Sequence, residues 1–172
     1  PIPLAGYALS VCEGKIYLFG GWDGKKYRDG TYIYDPASDS WRPGSKMPHP
    51  LAFAASAPVE GRIYIIGGHD GHRALAHTWE YNPSQEQAGA SPWRQRTSLG
   101  EDCQRLAAVA LGGSIYTVGG EGEGGAMCPV KRYDVASDSW MEMEAPPVTQ
   151  WHSLGLATVG TKLYATGGRG TR

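Results

Sequence analysis

The residues in this 172-residue chain whose types could do chemistry are few, and they gather in short glycine-containing stretches. His69-Asp70-Gly71-His72, with His77 shortly after, offers metal-ligating side chains. An H-x-x-H pair in such a loop lacks the i,i+4 geometry of a helix and a third ligand at a defined spacing, so these read as solvated loop histidines and no metal site is assigned. Glu121 and Glu123 could be imagined as an acid and a base, yet an isolated pair in a glycine loop reads as a solvated acidic surface. The serines fall in turns, with no G-x-S-x-G elbow and no Ser/His/Asp order, which leaves nucleophilic catalysis unsupported. The sequence assigns no catalytic residue and no cofactor.

Composition narrows the classes further. Sixteen basic against seventeen acidic residues leave none of the basic excess that tracking a phosphate backbone requires, which argues against nucleic acid. Apolar runs are too short to span a bilayer, and the start at Pro1-Ile2-Pro3-Leu4 lacks the charged and apolar regions of a signal peptide, so a soluble protein with no membrane partner is expected. The three cysteines, Cys12, Cys103 and Cys128, are an odd count at unrelated spacings. That pattern fits a reducing compartment better than a disulfide scaffold, and a cytoplasmic location is the expectation.

What positions any functional side chain is a repeat. An apolar run ending in two glycines occurs at Gly20-Gly21, Gly67-Gly68, Gly119-Gly120 and Gly167-Gly168, with first glycines 47, 52 and 48 residues apart. Before each pair lies a small-apolar, β-prone run and a tight turn, for example Gly6 to Cys12 and then Glu13-Gly14, which together read as a β-hairpin. After each pair comes a polar loop, then a third strand ending in Tyr34, Tyr81 or Tyr133, and a short fourth strand marked by Trp41, Trp93 or Trp140. No window carries the 3.6-residue period of a helix, so helix content close to nil is expected. The second glycine and the tyrosine stand 13 residues apart in all three complete units, whereas tyrosine and tryptophan stand 7, 12 and 7 apart. The second unit therefore carries five extra residues within Ser84 to Ser91, expected as a longer loop.

Taken together these residues resemble the Kelch repeat: a small-apolar strand, a turn, an apolar strand ending in Gly-Gly, a tyrosine in Tyr-Asp-Pro or Tyr-Asn-Pro, and a tryptophan about twenty residues after the glycines. The resemblance implies an all-β chain of propeller blades, each a four-stranded antiparallel meander that covers its apolar faces by stacking on its neighbours. Blades are expected at about 4–47, 50–97 and 102–145, with a half-blade at about 151–168. The glycine pairs then sit where the backbone needs a torsion or a close approach that a Cβ would obstruct. A phosphate-cradling loop would need a following helix N-terminus that is missing. The tyrosines and tryptophans are expected to pack between blades.

Function is sought in the loops that follow each glycine pair and those that lead into each first strand, because a rigid scaffold commonly carries binding on its loops. The candidates are Trp22, Tyr27 and Arg28, with Asp23 and Lys26 beside them; His69, Asp70, His72 and Arg73; Glu121; and Arg169. One equivalent position runs through the units as Gly6, Phe53, Arg105 and Ser153. In Kelch-like adaptors that position lies at the entrance of the first strand and often contacts the ligand, and Arg105 is the clear match, with Trp151 and His152 close to Ser153. Exposed Trp, Tyr and Arg side chains are the usual makeup of an interaction hot spot. The resemblance thus implies a non-catalytic module binding a protein or peptide. The competing enzyme reading, a carbohydrate-binding, isomerising or oxidising Kelch-type propeller, would need carboxylates and arginines converging on the central channel or a Cys/Tyr/His copper set. Three and a half units leave an open arc, so the remaining blades are expected from a longer chain or from self-association.

Overall fold

The computed structural model describes residues 3–147 and 151–170. Pro1 and Ile2, on which the reading of the start relied, lie outside the described residues.

Three four-stranded antiparallel meanders follow one another. The first runs β1 (Ala8–Cys12), β2 (Lys15–Phe19), β3 (Thr31–Asp35) and β4 (Ser40–Gly44). The second runs β5 (Ala55–Val59), β6 (Arg62–Ile66), β7 (Thr78–Tyr81) and β8 (Trp93–Arg96). The third runs β9 (Ala107–Leu111), β10 (Ser114–Val118), β11 (Lys131–Asp134) and β12 (Ser139–Glu142). A two-stranded sheet, β13 (Trp151–Val159) and β14 (Lys162–Gly170), closes the order. The Kelch-type blades implied by the sequence are all present as sheets.

The apolar pattern explains why the sheets stack. In β6, Ile63 and Ile65 belong to one buried cluster with Tyr17, Phe19 and Ile33 of the first blade. The alternate residues Tyr64 and Ile66 join a second cluster with Ile115 and Tyr133 of the third. A strand buried on both faces reads as a continuous apolar run, and each fully buried Ile contributes about 1.5–3 kcal/mol. Tyr81 and Trp93, and Tyr133 and Trp140, sit in these interfaces, with Tyr81 edge-on against Phe19 at 5.2 Å and Tyr133 5.8 Å from Tyr64; Tyr34 and Trp41, expected there as well, instead pack on each other at 5.0 Å, and Trp41 is 52% exposed. Outside the apolar layer, buried Glu80 ties Arg96 at 3.0 Å, and Arg96 donates onward to the Val135 carbonyl of the third blade.

The glycine pairs are the sutures of this stack. The first glycine has a positive φ, +62° at Gly20, and a Cβ there would come within 3.0 Å of the carbonyl oxygen of Leu51 in the next blade. Gly67 and Gly119 stand in the same relation to the carbonyls of Cys103 and Trp151. The second glycine of each pair then donates its N–H to that same carbonyl: Gly21 to Leu51 at 2.7 Å, Gly68 to Cys103 at 2.8 Å and Gly120 to Trp151 at 2.9 Å. Gly167 has nothing within 4 Å of a would-be Cβ, and β14 runs straight through the fourth pair instead of ending at it.

Two expectations are corrected. Helix is present where the second unit begins its extra stretch, with Pro83–Gln87 forming the one-turn α1, capped by the Asn82 side chain accepting from the Ser84 N–H at 3.0 Å. Pro early in the helix and Asn at its cap are sufficient for a single turn that leaves no apolar period to detect. The cysteine pattern also misled, because Cys103 and Cys128 form a disulfide with Cα atoms 6.2 Å apart, while Cys12 is free and buried. They lie on the two arms flanking the third glycine pair, which the sheet brings together across 25 residues of sequence. The pairing removes the compositional argument for a reducing compartment.

Candidate functional site

Beyond each glycine pair the first hairpin continues for one more bridge in unbroken register. Trp22 pairs with Ala5, His69 with Ala52 and Glu121 with Gln104, and Arg169 pairs with His152 inside the last sheet. Trp22, His69 and Glu121 bridge on their other side to Tyr27, Ala74 and Met127. The four residues immediately after the glycines are thus held by backbone, as a set, on one rim of the stack.

The residues that follow the bridge partners make a second set. Gly6, Phe53, Arg105 and Ser153 all have φ between +56° and +63°, a region that costs a non-glycine residue about 1–3 kcal/mol. Their main chains form a ladder from blade to blade: the Phe53 N–H donates to Gly6 at 2.7 Å, that of Arg105 to Phe53 at 2.8 Å, and that of Ser153 to Arg105 at 2.9 Å. This ladder fixes an otherwise unfavourable torsion. It also brings together side chains from three units: the Arg105 guanidinium lies 5.3 Å from the Phe53 ring centre and donates to Glu121 at 2.7 Å. Tyr27 packs on Phe53 at 6.3 Å and on His69 at 5.4 Å. Tyr27, His69, Phe53, Arg105 and Glu121 therefore form one contiguous aromatic and charged surface. Beside it, Glu121, Met127, Trp151 and His152 line a cleft of about 270 Å³.

Other candidates stabilise the loops. Asp70 accepts the N–H groups of His72 and Arg73 at 2.7 and 2.9 Å. Burial works against its charge, but those amides prevail and hold its pKa below the ordinary carboxylate value. Asp23 does the same for Lys25 and Lys26 and also pairs with Arg28. The amides of Lys26 and Lys25 hold its pKa low as well. His72 and Arg73 stand exposed at the loop tip, and Trp22 is 40% exposed. Trp151 donates its indole N–H to the Gly167 carbonyl at 2.6 Å.

The imagined catalytic groups do not assemble. His77 lies against His49, with ring nitrogens 3.2 Å apart, while the His69 ring accepts from the Gly71 N–H. Glu121 is taken by Arg105, and Glu123 accepts the Ala74 N–H of the neighbouring blade at 3.0 Å. Among the described residues no three or more His, Cys, Asp or Glu side chains gather as a metal site. Phe53, present in the sequence reading only as the second-unit member of the Arg105 position, is the side chain that joins Tyr27 to Arg105. Its equivalence to Arg105 was the available signal.

The family model of the KLHDC2/KLHL20/DRC7 Kelch-repeats domain matches residues 1–168. This chain belongs to the Kelch-repeat family. A comparison with curated proteins gave no match. Kelch blades, β-propeller architecture and all-β content follow together from the match and the sheets. No helix among the described residues is long and apolar enough to cross a membrane.

Proposed function

We propose that this chain is a non-catalytic, protein-binding Kelch module that takes an extended peptide or a protein loop on the rim formed by the post-glycine loops and the first-strand entrances. The observation that carries this reading is the backbone ladder through Gly6, Phe53, Arg105 and Ser153, because it maintains Phe53 and Arg105 at unfavourable torsions on an open surface. Strain of that kind persists where the surroundings over-determine it, and it concentrates at functional sites. An aromatic pair, a half-exposed Arg and a neighbouring cleft supply the anchors by which a few residues dominate binding. Further blades, from a longer chain or by association, complete the ring in this reading.

The test is selection of a random peptide library on the immobilised chain, followed by titration of the enriched peptides against variants. Arg105→Glu and Phe53→Ala should each weaken binding tenfold or more, equivalent to about 1.4 kcal/mol, while the circular-dichroism melt stays cooperative. Failure to enrich any peptide, or peptides indifferent to both substitutions, refutes the assignment.

A further inference from the structure

The third post-glycine loop is built unlike the first two. In those, Asp23 and Asp70 accept the amides of the loop tip, and the tips present Lys25 and Lys26, then His72 and Arg73, all exposed. Counted from the bridging residue of each loop, Gly122 stands where the aspartates are, and Gly124 and Gly125 stand where the basic pairs are. Glu123–Gly125 makes a single 3-10 turn, with φ of +70° at Gly124 and +78° at Gly125. A Cβ at either glycine would meet no atom within 4 Å, and the space they leave is the cleft of about 270 Å³ whose other walls are Glu121, Met127, Trp151 and His152. That volume lies just below the range of small-molecule pockets, about 300–1,000 Å³, and suits one side chain of a partner.

The walls sort the possible occupants by charge. An anion needs donors, and those of the glycine loop are spent: the N–H groups of Gly120, Glu121, Gly122 and Gly125 donate to the carbonyls of Trp151, Gln104, Ala126 and Gly122 at 2.7–3.2 Å. The loop is therefore no nest of open amides for phosphate or carboxylate. Trp151 spends its indole N–H on the Gly167 carbonyl, and His152 is engaged through Nδ1 with the Ser153 hydroxyl at 3.2 Å. What remains is acceptor and aromatic surface. Glu121 gives Oε1 to Arg105, its side chain is 25% exposed, and its Oε2 takes no hydrogen bond among the described residues. The Trp151 indole adds the π-electron density that attracts a cation, and Met127 adds an adaptable apolar wall.

We infer that this cleft is the subsite for one cationic side chain of the bound polypeptide, an arginine whose guanidinium donates to Glu121 Oε2 and lies against Trp151. Arginine suits it better than lysine, because a planar, weakly hydrated guanidinium stacks on an aromatic ring while pairing with a carboxylate, whereas an ammonium holds its water. Glu121 is then shared between Arg105 of the rim and the arginine of the partner, and the exposed Glu123 of the same loop offsets the second positive charge. Arg169, opposite His152 in the last sheet, is exposed, so solvent screens its opposing charge. This inference rests on the reading of the rim as a polypeptide-binding surface and names the side chain that anchors there.

The test titrates the 172-residue chain with the Nα-acetyl N-methylamides of arginine, citrulline, leucine and aspartate, followed through the Trp151 indole N–H resonance. Citrulline keeps the shape of arginine and loses its charge. The arginine probe should shift that resonance saturably and bind about tenfold more tightly than the citrulline probe, the scale of one hydrogen bond to a charged group. Glu121→Gln should abolish the preference. Arg105→Gln separates this role of Glu121 from the positioning of Arg105: by removing the competing cation it should tighten the arginine probe about twofold to fivefold, the range of one exposed charge pair. Circular-dichroism melts confirm that the variants fold, and calorimetry on the parent chain, with arginine replaced by citrulline in a peptide enriched on the rim, should show the same tenfold loss without any variant. Equal binding of arginine and citrulline, tighter binding of the leucine or aspartate probe, or loss of arginine binding in Arg105→Gln overturns the inference. Enriched peptides that depend on Phe53 and Arg105 yet carry no arginine overturn this subsite and leave the rim reading standing, whereas a failure to enrich any peptide strikes the rim reading while the four probes still judge the cleft.

Discussion

Replacing the first glycine of a pair by alanine tests whether these glycines exist for the neighbouring blade or for the turn itself. At Gly67, φ is +64° and a Cβ would meet the Cys103 backbone carbonyl well inside 3.0 Å. Backbone in a ladder cannot swing aside as a side chain would. Gly67→Ala therefore adds a left-handed torsion and pushes the third blade off, stretching the Gly68 N–H bond to the same carbonyl. A left-handed alanine at about 1–2 kcal/mol and a buried donor left unpaired at about 1–3 kcal/mol give a loss of roughly 2–5 kcal/mol. For a domain of this size that lowers the melting temperature by about 4–20 °C. Gly167→Ala is the internal control, since its φ is +70° but no atom lies within 4 Å of the added Cβ. Only the torsional cost of about 1–2 kcal/mol remains there, and the melt should fall by about 2–8 °C, less than for Gly67→Ala. Differential scanning calorimetry of the two variants beside the parent decides the matter. Melts within two degrees of one another would refute the suture argument and return the glycines to a purely local turn requirement.

Three further outcomes are expected. Maleimide labelling in denaturant without reductant should modify one cysteine, Cys12, and labelling after reduction should modify three; three adducts without reductant would contradict the Cys103–Cys128 bond. Glu86→Ala should cost about 2 kcal/mol by freeing the Ser45 N–H and unpairing the carboxylate grip on the first blade, while Glu86→Gln recovers part of it; equal melting of Ala variants at Glu86 and at exposed Gln85 would deny α1 an inter-blade role. Burial, and then the neighbouring His49, hold the His77 pKa below its ordinary value of 6.5. The folded state thus favours neutral imidazole, and stability is fully present above about pH 6.5 and declines as pH falls through the lowered pKa. Thermal melts between pH 7.5 and 5 should show that decline, flattened in His77→Gln, and a parent whose melt is flat over the same range would refute it.

How much of this was legible beforehand follows from which forces leave a trace in one dimension. Backbone needs that recur with the fold were readable, since glycine pairs, a fixed spacing to Tyr34, Tyr81 and Tyr133, and the following tryptophans reported the blades and predicted a torsion or a close approach at Gly20 and its counterparts, of which Gly20, Gly67 and Gly119 show both and Gly167 the torsion alone. What the sequence concealed was the partner in each approach, because Leu51, Cys103 and Trp151 contribute a carbonyl that every residue has. The same is true of Ser45, held by Glu86 and Trp93, and of Thr97, held by Asp138 and Trp140, in each case through main-chain groups that carry no sequence signal. Cys103 and Cys128 were hidden for the complementary reason: their spacing of 25 residues is meaningless until the bridge between Gln104 and Glu121 places the two arms side by side. In the candidate site, charge made Arg105, His69 and Glu121 visible, whereas Phe53 was legible only as the second-unit equivalent of Arg105, and its place in the surface emerges once its left-handed torsion sets it in the same ladder. A position that tolerates Gly, Phe, Arg and Ser at one strained torsion is fixed by its main chain and free in its side chain. On the function proposed above, that separation lets the rim change its ligand without changing its frame, and specificity falls to Phe53 and Arg105 ahead of Asp70 or Asp23, whose carboxylates are already committed to their own loops.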